Sequence, residues 1–296
     1  MTTEVAVQQL INALSLGSLY ALLALGLAMV YSVLRLMNFA YGELVTAVGY
    51  TIYFLYGVGL PYAVAAAAGV AAAIGVSLLT EMAAFRPLRK ASFTAILFSS
   101  FAMSVLLQNL IRQAVSPRPR GIAVPAVLDS VVSIGSFRIA TLSLVTLVLS
   151  LTAIGLLVTF LQRTRAGIAI RAAAANFEVA RLVGIPANRV ISLSFVVSGL
   201  LAGIGGVLWV SRIGGVTPAM GFKPVLSSFI SVVIGGLGNL WGAVVGGFVL
   251  AFLEVALQVL LPPSTRPFID AFALLIVVVI LGLRPEGLVG RKEAAR

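Results

Sequence analysis

Cysteine and histidine are both absent from this chain. Without thiols there is no disulfide and no thiolate chemistry, and without imidazole there is no histidine-based metal site or acid–base pair. Charge is scarce as well: Asp, Glu, Lys and Arg make up 10% of the 296 residues, against about 25% in soluble domains. Lysine occurs only at Lys90, Lys223 and Lys292 and never directly after glycine, so there is no Walker-type phosphate loop. The glycine-rich GGLGN at 235–239 lies inside an apolar run, not between a strand and a helix, which removes a dinucleotide-binding reading. No enzyme, cofactor or metal site is expected.

What is abundant is hydrocarbon, at 60% hydrophobic residues. The apolar runs last about 20 residues, enough to cross roughly 30 Å of bilayer as helices. They lack the period-two alternation of an outer-membrane barrel. The net charge of +11 does not point to nucleic acid, because the basic residues cluster between apolar runs, where the positive-inside rule expects them. The N-terminal MTTEVAVQQL has no basic n-region, so the first apolar run is expected to be retained. Apolar segments fall at 6–34, 39–59, 62–85, 92–113, 139–161, 190–212, 222–240, 241–261 and 267–283. The expected fold is a single all-α polytopic membrane domain over 1–296, with about eight or nine segments and 222–240 a candidate re-entrant one.

Three basic clusters set the orientation: Arg86, Arg89 and Lys90; the stretch 163–189; and Arg284, Arg291, Lys292 and Arg296. Putting all three inside leaves the N-terminus outside and requires a chain reversal near Gly238-Asn239. Arg112, Arg118, Arg120 and Arg138 then fall in an outer loop, against the rule. Gly199 and Gly203, and the series Gly238, Gly242 and Gly246, recur every four residues, a spacing that lets helices pack closely in lipid.

Between spans, 163–189 carries Arg163, Arg165, Arg171, Arg181 and Arg189, too polar to cross and helical from Ala166 to Val183, with Gly184 and Pro186 as stop signals. It is either an amphipathic helix on anionic lipid or a helix whose alanines fit a partner's groove. Glu43 shares a helical face with Thr46, Ala47 and Tyr50, and Glu254 with Gln258. Intramembrane carboxylates are functional candidates; the competing reading is a hydrogen-bonded packing strut. Asp270 and Glu81 sit near span ends and read as interfacial.

The stretches GLAMVYSVLRLMNFAYGEL (26–44), RAGIAIRAAAANFEVARLVGIPANRVISLSFVVSGLLAGIGGVL (165–208), IGGLGNLWGAVVGG (234–247) and LRPEGLVG (283–290) together resemble permease subunits of branched-chain amino-acid ABC importers. Asn38, Gly42 and Glu43 match that family's N-F-A-H-G-E signature, with Tyr41 in place of its histidine. The resemblance implies a second homologous permease subunit, two cytoplasmic ATP-binding subunits and an extracytoplasmic substrate-binding protein. It makes 166–185 the coupling helix, since Ala180, Gly184 and Ile185 match the A-x-x-x-G-I core, with Gly167, Arg171, Ala172, Ala173 and Arg181 as further contact candidates. Asn38, Glu43, Thr46, Tyr50, Glu254 and Gln258 are the translocation-path candidates. A urea or short-amide permease of the same superfamily shares most of these motifs, and a monosaccharide permease fits the signature less well. An ion-coupled secondary transporter would use the carboxylates directly but has no need of the helical 163–189 loop.

Overall fold

The computed structural model describes residues 3–89, 91–134, 137–284 and 286–289; Lys90, Arg291, Lys292 and Arg296 of the basic clusters lie outside them. In chain order the helices are α1 (Thr3–Leu34), α2 (Tyr41–Gly57), α3 (Tyr62–Thr80, extended by a π turn over Glu81–Phe85), α4 (Phe93–Ala114), the one-turn α5 (Ala126–Asp129), α6 (Thr141–Arg163), α7 (Arg165–Ala175), α8 (Phe177–Leu182), α9 (Ala187–Ile213), α10 (Phe222–Gly235), α11 (Leu240–Leu260) and α12 (Ile269–Leu283). Two antiparallel two-stranded pairs join them: β1 (Arg120–Gly121) with β4 (Gly215–Val216), and β2 (Val131–Ile134) with β3 (Phe137–Ala140).

Among the described residues, seven helices are long and apolar enough to cross a membrane: α1, α3, α4, α6, α9, α11 and α12, the last with the preceding 3-10 turn. The chain is thus a polytopic all-α membrane protein. Helix α1 is hydrophobic on every side, as a helix at the centre of a bundle must be, and 94% of its apolar window is buried. The expected span at 39–59 and the candidate re-entrant segment at 222–240 are two short helices, α2 with 17 residues and α10 with 14. Local chemistry sets where each begins. The Asn38 Oδ1 accepts the Ala40 N–H at 3.0 Å, turning the chain just ahead of α2. Pro224 sits in the first turn of α10, where no intrahelical donor is needed.

These short helices belong to a repeated unit. Helices α1 and α9 pack antiparallel, Gly26 beside Leu201 and Gly205 beside Leu23. Each ends in a left-handed residue, Arg35 (φ 54°) and Gly214 (φ 67°), and α2 and α10 are each followed by a left-handed glycine, Gly59 and Gly238. Both pairs are separated by 179 positions (35 to 214 and 59 to 238), as are Gly42 and Gly221 at the starts of α2 and α10. Packing follows the same correspondence. Gly199 and Gly203 of α9 seat against Ala73, Ile74, Ser77 and Val70 of α3, while Gly247 of α11 seats against Ala21 of α1. The two halves are therefore inverted copies.

The short helices of the two copies start head to head. A methyl group on Gly42 would lie 2.5 Å from the Gly221 carbonyl oxygen, and one on Gly221 would overlap the Gly42 carbonyl. At 1.5 Å per residue, α2 runs about 22 Å from this crossing to its far end and α10 about 21 Å the other way. The crossing therefore lies near mid-membrane. The α10 end is the one that carries the basic loop. There Arg35 Nη2 donates to the Ala174 carbonyl of α7 at 3.4 Å, and Leu288 N–H donates to the Ile234 carbonyl at 2.7 Å.

Candidate functional site

Around the mid-membrane crossing the polar side chains converge. Glu43, in the first turn of α2, is buried, and its Oε1 accepts from Ser104 Oγ at 2.9 Å and Gln108 Nε2 at 2.8 Å, both on α4. Its other carboxylate oxygen has no partner among the described residues, and neither do the Asn38 amide nitrogen or the Tyr50 hydroxyl. Thr46 lies on the α10-facing side of the same helix, bonded to the Gly42 carbonyl at 3.3 Å, with its Oγ1 2.8 Å from where a Gly221 Cβ would be. Tyr41 does not occupy the polar side at all: its hydroxyl donates to the Leu23 carbonyl at 2.8 Å and fills the space left by Gly26. Four of the six path candidates (Asn38, Glu43, Thr46 and Tyr50) thus share α2 and its entry.

Glu254 and Gln258 stand apart. Glu254 accepts from Tyr20 on α1 at 2.9 Å, while Gln258 is exposed one turn on. Glu81, read from sequence as interfacial, lies at the end of α3 and is buried within the protein. It pairs with Arg89, which also binds Asn188, and Ser192 Oγ approaches it at 3.4 Å. Its charge is paid for by these partners and ties the end of α3 to the start of α9. Gly242 and Gly246 lie against Gly235 and Ser231 of α10. Gly238 is not a helix-packing residue: at φ 86° it forms the α10–α11 turn, with Arg35 Nη1 2.7 Å from where its Cβ would be.

The expected single helix over 166–185 is two helices. Thr164 caps α7 by accepting the Gly167 N–H at 2.9 Å, and Asn176 breaks the run by accepting the Val179 N–H at 3.1 Å and capping α8. Gly167 turns inward onto Phe160 and Leu161 at the end of α6. Ala173 and Ala180 are buried against the bundle and Ala172 is half-buried, so the alanines do not form the open face. That face carries Ile168, Val179, Leu182 and Val183, with Leu182 86% and Val183 72% exposed, flanked by the exposed Arg171 and Arg181. Gly184 (φ 85°) turns the chain back, and Ile185 N–H closes onto the Ala180 carbonyl at 3.0 Å. Beside this loop a cavity of about 1080 Å³ opens, lined by Arg35, Gln162, Arg171, Asn239, Trp241 and Glu286 among others.

Ser104, Gln108, Gly221 and Arg35 were not singled out from sequence. Ser104 and Gln108 are one helical turn apart in an apolar run, a polar stripe of the kind noticed for Glu254. Gly221 closes TPAMG at 217–221, which echoes NFAYG at 38–42.

A family model described as branched-chain amino acid transport system / permease component matches residues 9–281. The chain is 32% identical to the high-affinity branched-chain amino acid transport system permease protein LivH of Escherichia coli K12, over 98% of this chain and 97% of that one. Identity to the permease protein BraD of Pseudomonas aeruginosa is likewise 32%, with the same coverage. Among solved structures, PsaBC from Streptococcus pneumoniae in complex with Fab aligns with a TM-score of 0.53 at 15% identity, covering 94% of this chain and 92% of that one, a likeness of fold alone.

Proposed function

The chain belongs to the family of permease components of branched-chain amino acid transport systems, and from that premise we propose that it forms part of the translocation path of an ATP-driven importer for branched-chain or other hydrophobic amino acids. The substrate class rests on one observation, the match along nearly the whole chain to relatives named as high-affinity branched-chain amino acid permeases. In this reading the chain itself performs no chemistry. A second homologous permease completes the path, two cytoplasmic subunits hydrolyse ATP, and an extracytoplasmic binding protein delivers the amino acid.

The basic-loop end is assigned to the cytoplasm on the positive-inside rule. The apolar, solvent-facing Leu182 and Val183, ringed by Arg171 and Arg181, suit a protein groove better than a lipid surface, because they project from the bundle at the turn of the loop. Arg35 then links that docking site to the turn below α10, through the Ala174 carbonyl and Gly238. Movement of α7 thereby reaches a helix whose other end is the mid-membrane crossing with α2. A gate at that crossing needs only two alternative packings whose balance the ATPases shift.

The test is uptake by the complete reconstituted transporter, with its binding protein and ATPases. ATP-dependent accumulation of leucine is the expected result. Uptake of urea in its place would overturn the substrate, and leucine uptake without ATP would overturn the importer class.

A further inference from the structure

Lys223 and Asp270 form an ion pair, with the lysine Nζ 3.0 Å from each carboxylate oxygen. Both side chains are about half exposed, at 47% and 57%. Lys223 is the second residue of α10 and Asp270 the second of α12, and the two helices end level, since Gly287 beyond α12 packs on Gly236 beyond α10. At 1.5 Å per residue the pair stands roughly 18–20 Å above that end, well inside a hydrocarbon layer of about 30 Å. An exposed ion pair at this depth does not face lipid; it faces water in a path or a partner.

Next to it lies a cavity of about 470 Å³, a size usual for small-molecule sites. Its walls are largely apolar, with Trp209, Ile213, Val216, Met220 and Phe222 around the stem of Lys223, and Arg120 adds a second cation to the lining. Resting on the importer reading above, we propose that Lys223 and Asp270 are the charge-reading residues for a zwitterionic amino acid in the path. The α-carboxylate takes Lys223, the α-ammonium takes Asp270, and the aliphatic side chain enters the neighbouring cavity. In the empty path the two residues neutralise each other, so no bare charge waits in the membrane. Substrate replaces one ion pair by two, an exchange with little net gain, which permits release.

The test uses the complete transporter in proteoliposomes with radiolabelled leucine. Two double variants remove the reading without leaving an unpaired charge: Lys223→Asp with Asp270→Lys, which keeps an ion pair in reversed order, and Lys223→Met with Asp270→Leu. Both are expected to lose at least tenfold in uptake while co-purifying with their partner subunits. A structural strut predicts rescue by the reversed pair, so recovery to half the wild-type rate or more overturns the proposal. A second measurement does not depend on those variants. In this cysteine-free chain, Ala219→Cys, on the exposed wall of the cavity beside Lys223, is expected to react with a charged, water-soluble thiol reagent and to be slowed at least threefold by saturating leucine in a turning-over complex. An unreactive or unprotected cysteine overturns the proposal too. If the wild-type complex takes up no leucine, the importer reading falls and this one with it; if it does and the variants match it, only this one falls.

Discussion

The crossing of α2 and α10 makes the sharpest demand on side-chain size, and Gly221→Ala probes it. The added methyl would overlap the Gly42 carbonyl group and come within 2.8 Å of Thr46 Oγ1. The obstructing atoms are backbone, so no rotamer change relieves the contact and one helix must shift. Overpacking a tight site costs about 1–3 kcal/mol, and a backbone obstacle puts this case at the upper end. Gly155→Ala in α6 is the control, because nothing lies within 4 Å of its new methyl. There the helix gains about 0.5–1 kcal/mol from the reduced freedom of the unfolded chain. The two variants should therefore differ by about 2–4 kcal/mol. At roughly 2–4 °C per kcal/mol, the scale for domains of a few hundred residues, their apparent melting points separate by at least about 4 °C. Size-exclusion chromatography of the detergent-solubilised protein after heating measures this. A Gly221→Ala protein that melts with or above Gly155→Ala would refute the head-to-head packing.

Glu43→Gln retains an acceptor for Ser104 and Gln108 and should keep uptake, whereas Glu43→Ala strands both donors at a cost of about 1–3 kcal/mol; loss of uptake in the Gln variant as well would mean that the charge itself is needed. Leu182→Asp and Val183→Asp alter exposed positions, so folding should be intact while the ATPase no longer co-purifies. Ala173→Glu, on the buried side of the same loop, should instead reduce the yield of folded protein by burying an unpaired charge. Arg35→Gly relaxes a left-handed backbone and removes the link to Ala174, so thermal stability should hold while ATP-driven uptake falls several-fold; unchanged uptake would remove Arg35 from the coupling route. Asn176→Cys should be labelled from the cytoplasmic side alone.

Hydropathy made the long helices legible, because length and apolar content are what a membrane selects. It could not register where a helix starts within the bilayer. Residues 39–59 read as a full span since Phe39, Ala40 and Val58, on either side of α2, are as apolar as the helix itself, and the run at 222–240, read as a candidate re-entrant segment, continued past the end of α10 through Leu237 in the same way. The same blindness merged α7 and α8: Asn176 is a modest interruption in propensity, yet its side chain caps the second helix and rotates Ala173 and Ala180 inward. Glu43 was visible as an anomaly, but its partners on α4 were not, because nothing local in 41–57 names the helix that will lie against it. Lys223 is the only lysine within an apolar segment, and its match to Asp270 depends on two helices that finish level.

The inverted duplication bears on how the chain enters the membrane. A bundle built from two opposed copies presents much the same packing surface whichever face comes first, so its core does not specify insertion direction. That information has to lie in the charged residues at helix ends and in loops. Much of it lies in and beside the segment joining the two copies: Arg165, Arg171 and Arg181 fall between α6 and α9, Arg163 ends α6 and Arg189 is in the first turn of α9. Biogenesis and architecture are thereby separable in this protein. Charges moved from that loop and from Arg86 and Arg89 to the opposite face should turn the molecule over without unfolding it, leaving the exposed Leu182 and Val183 on the other side of an intact bundle.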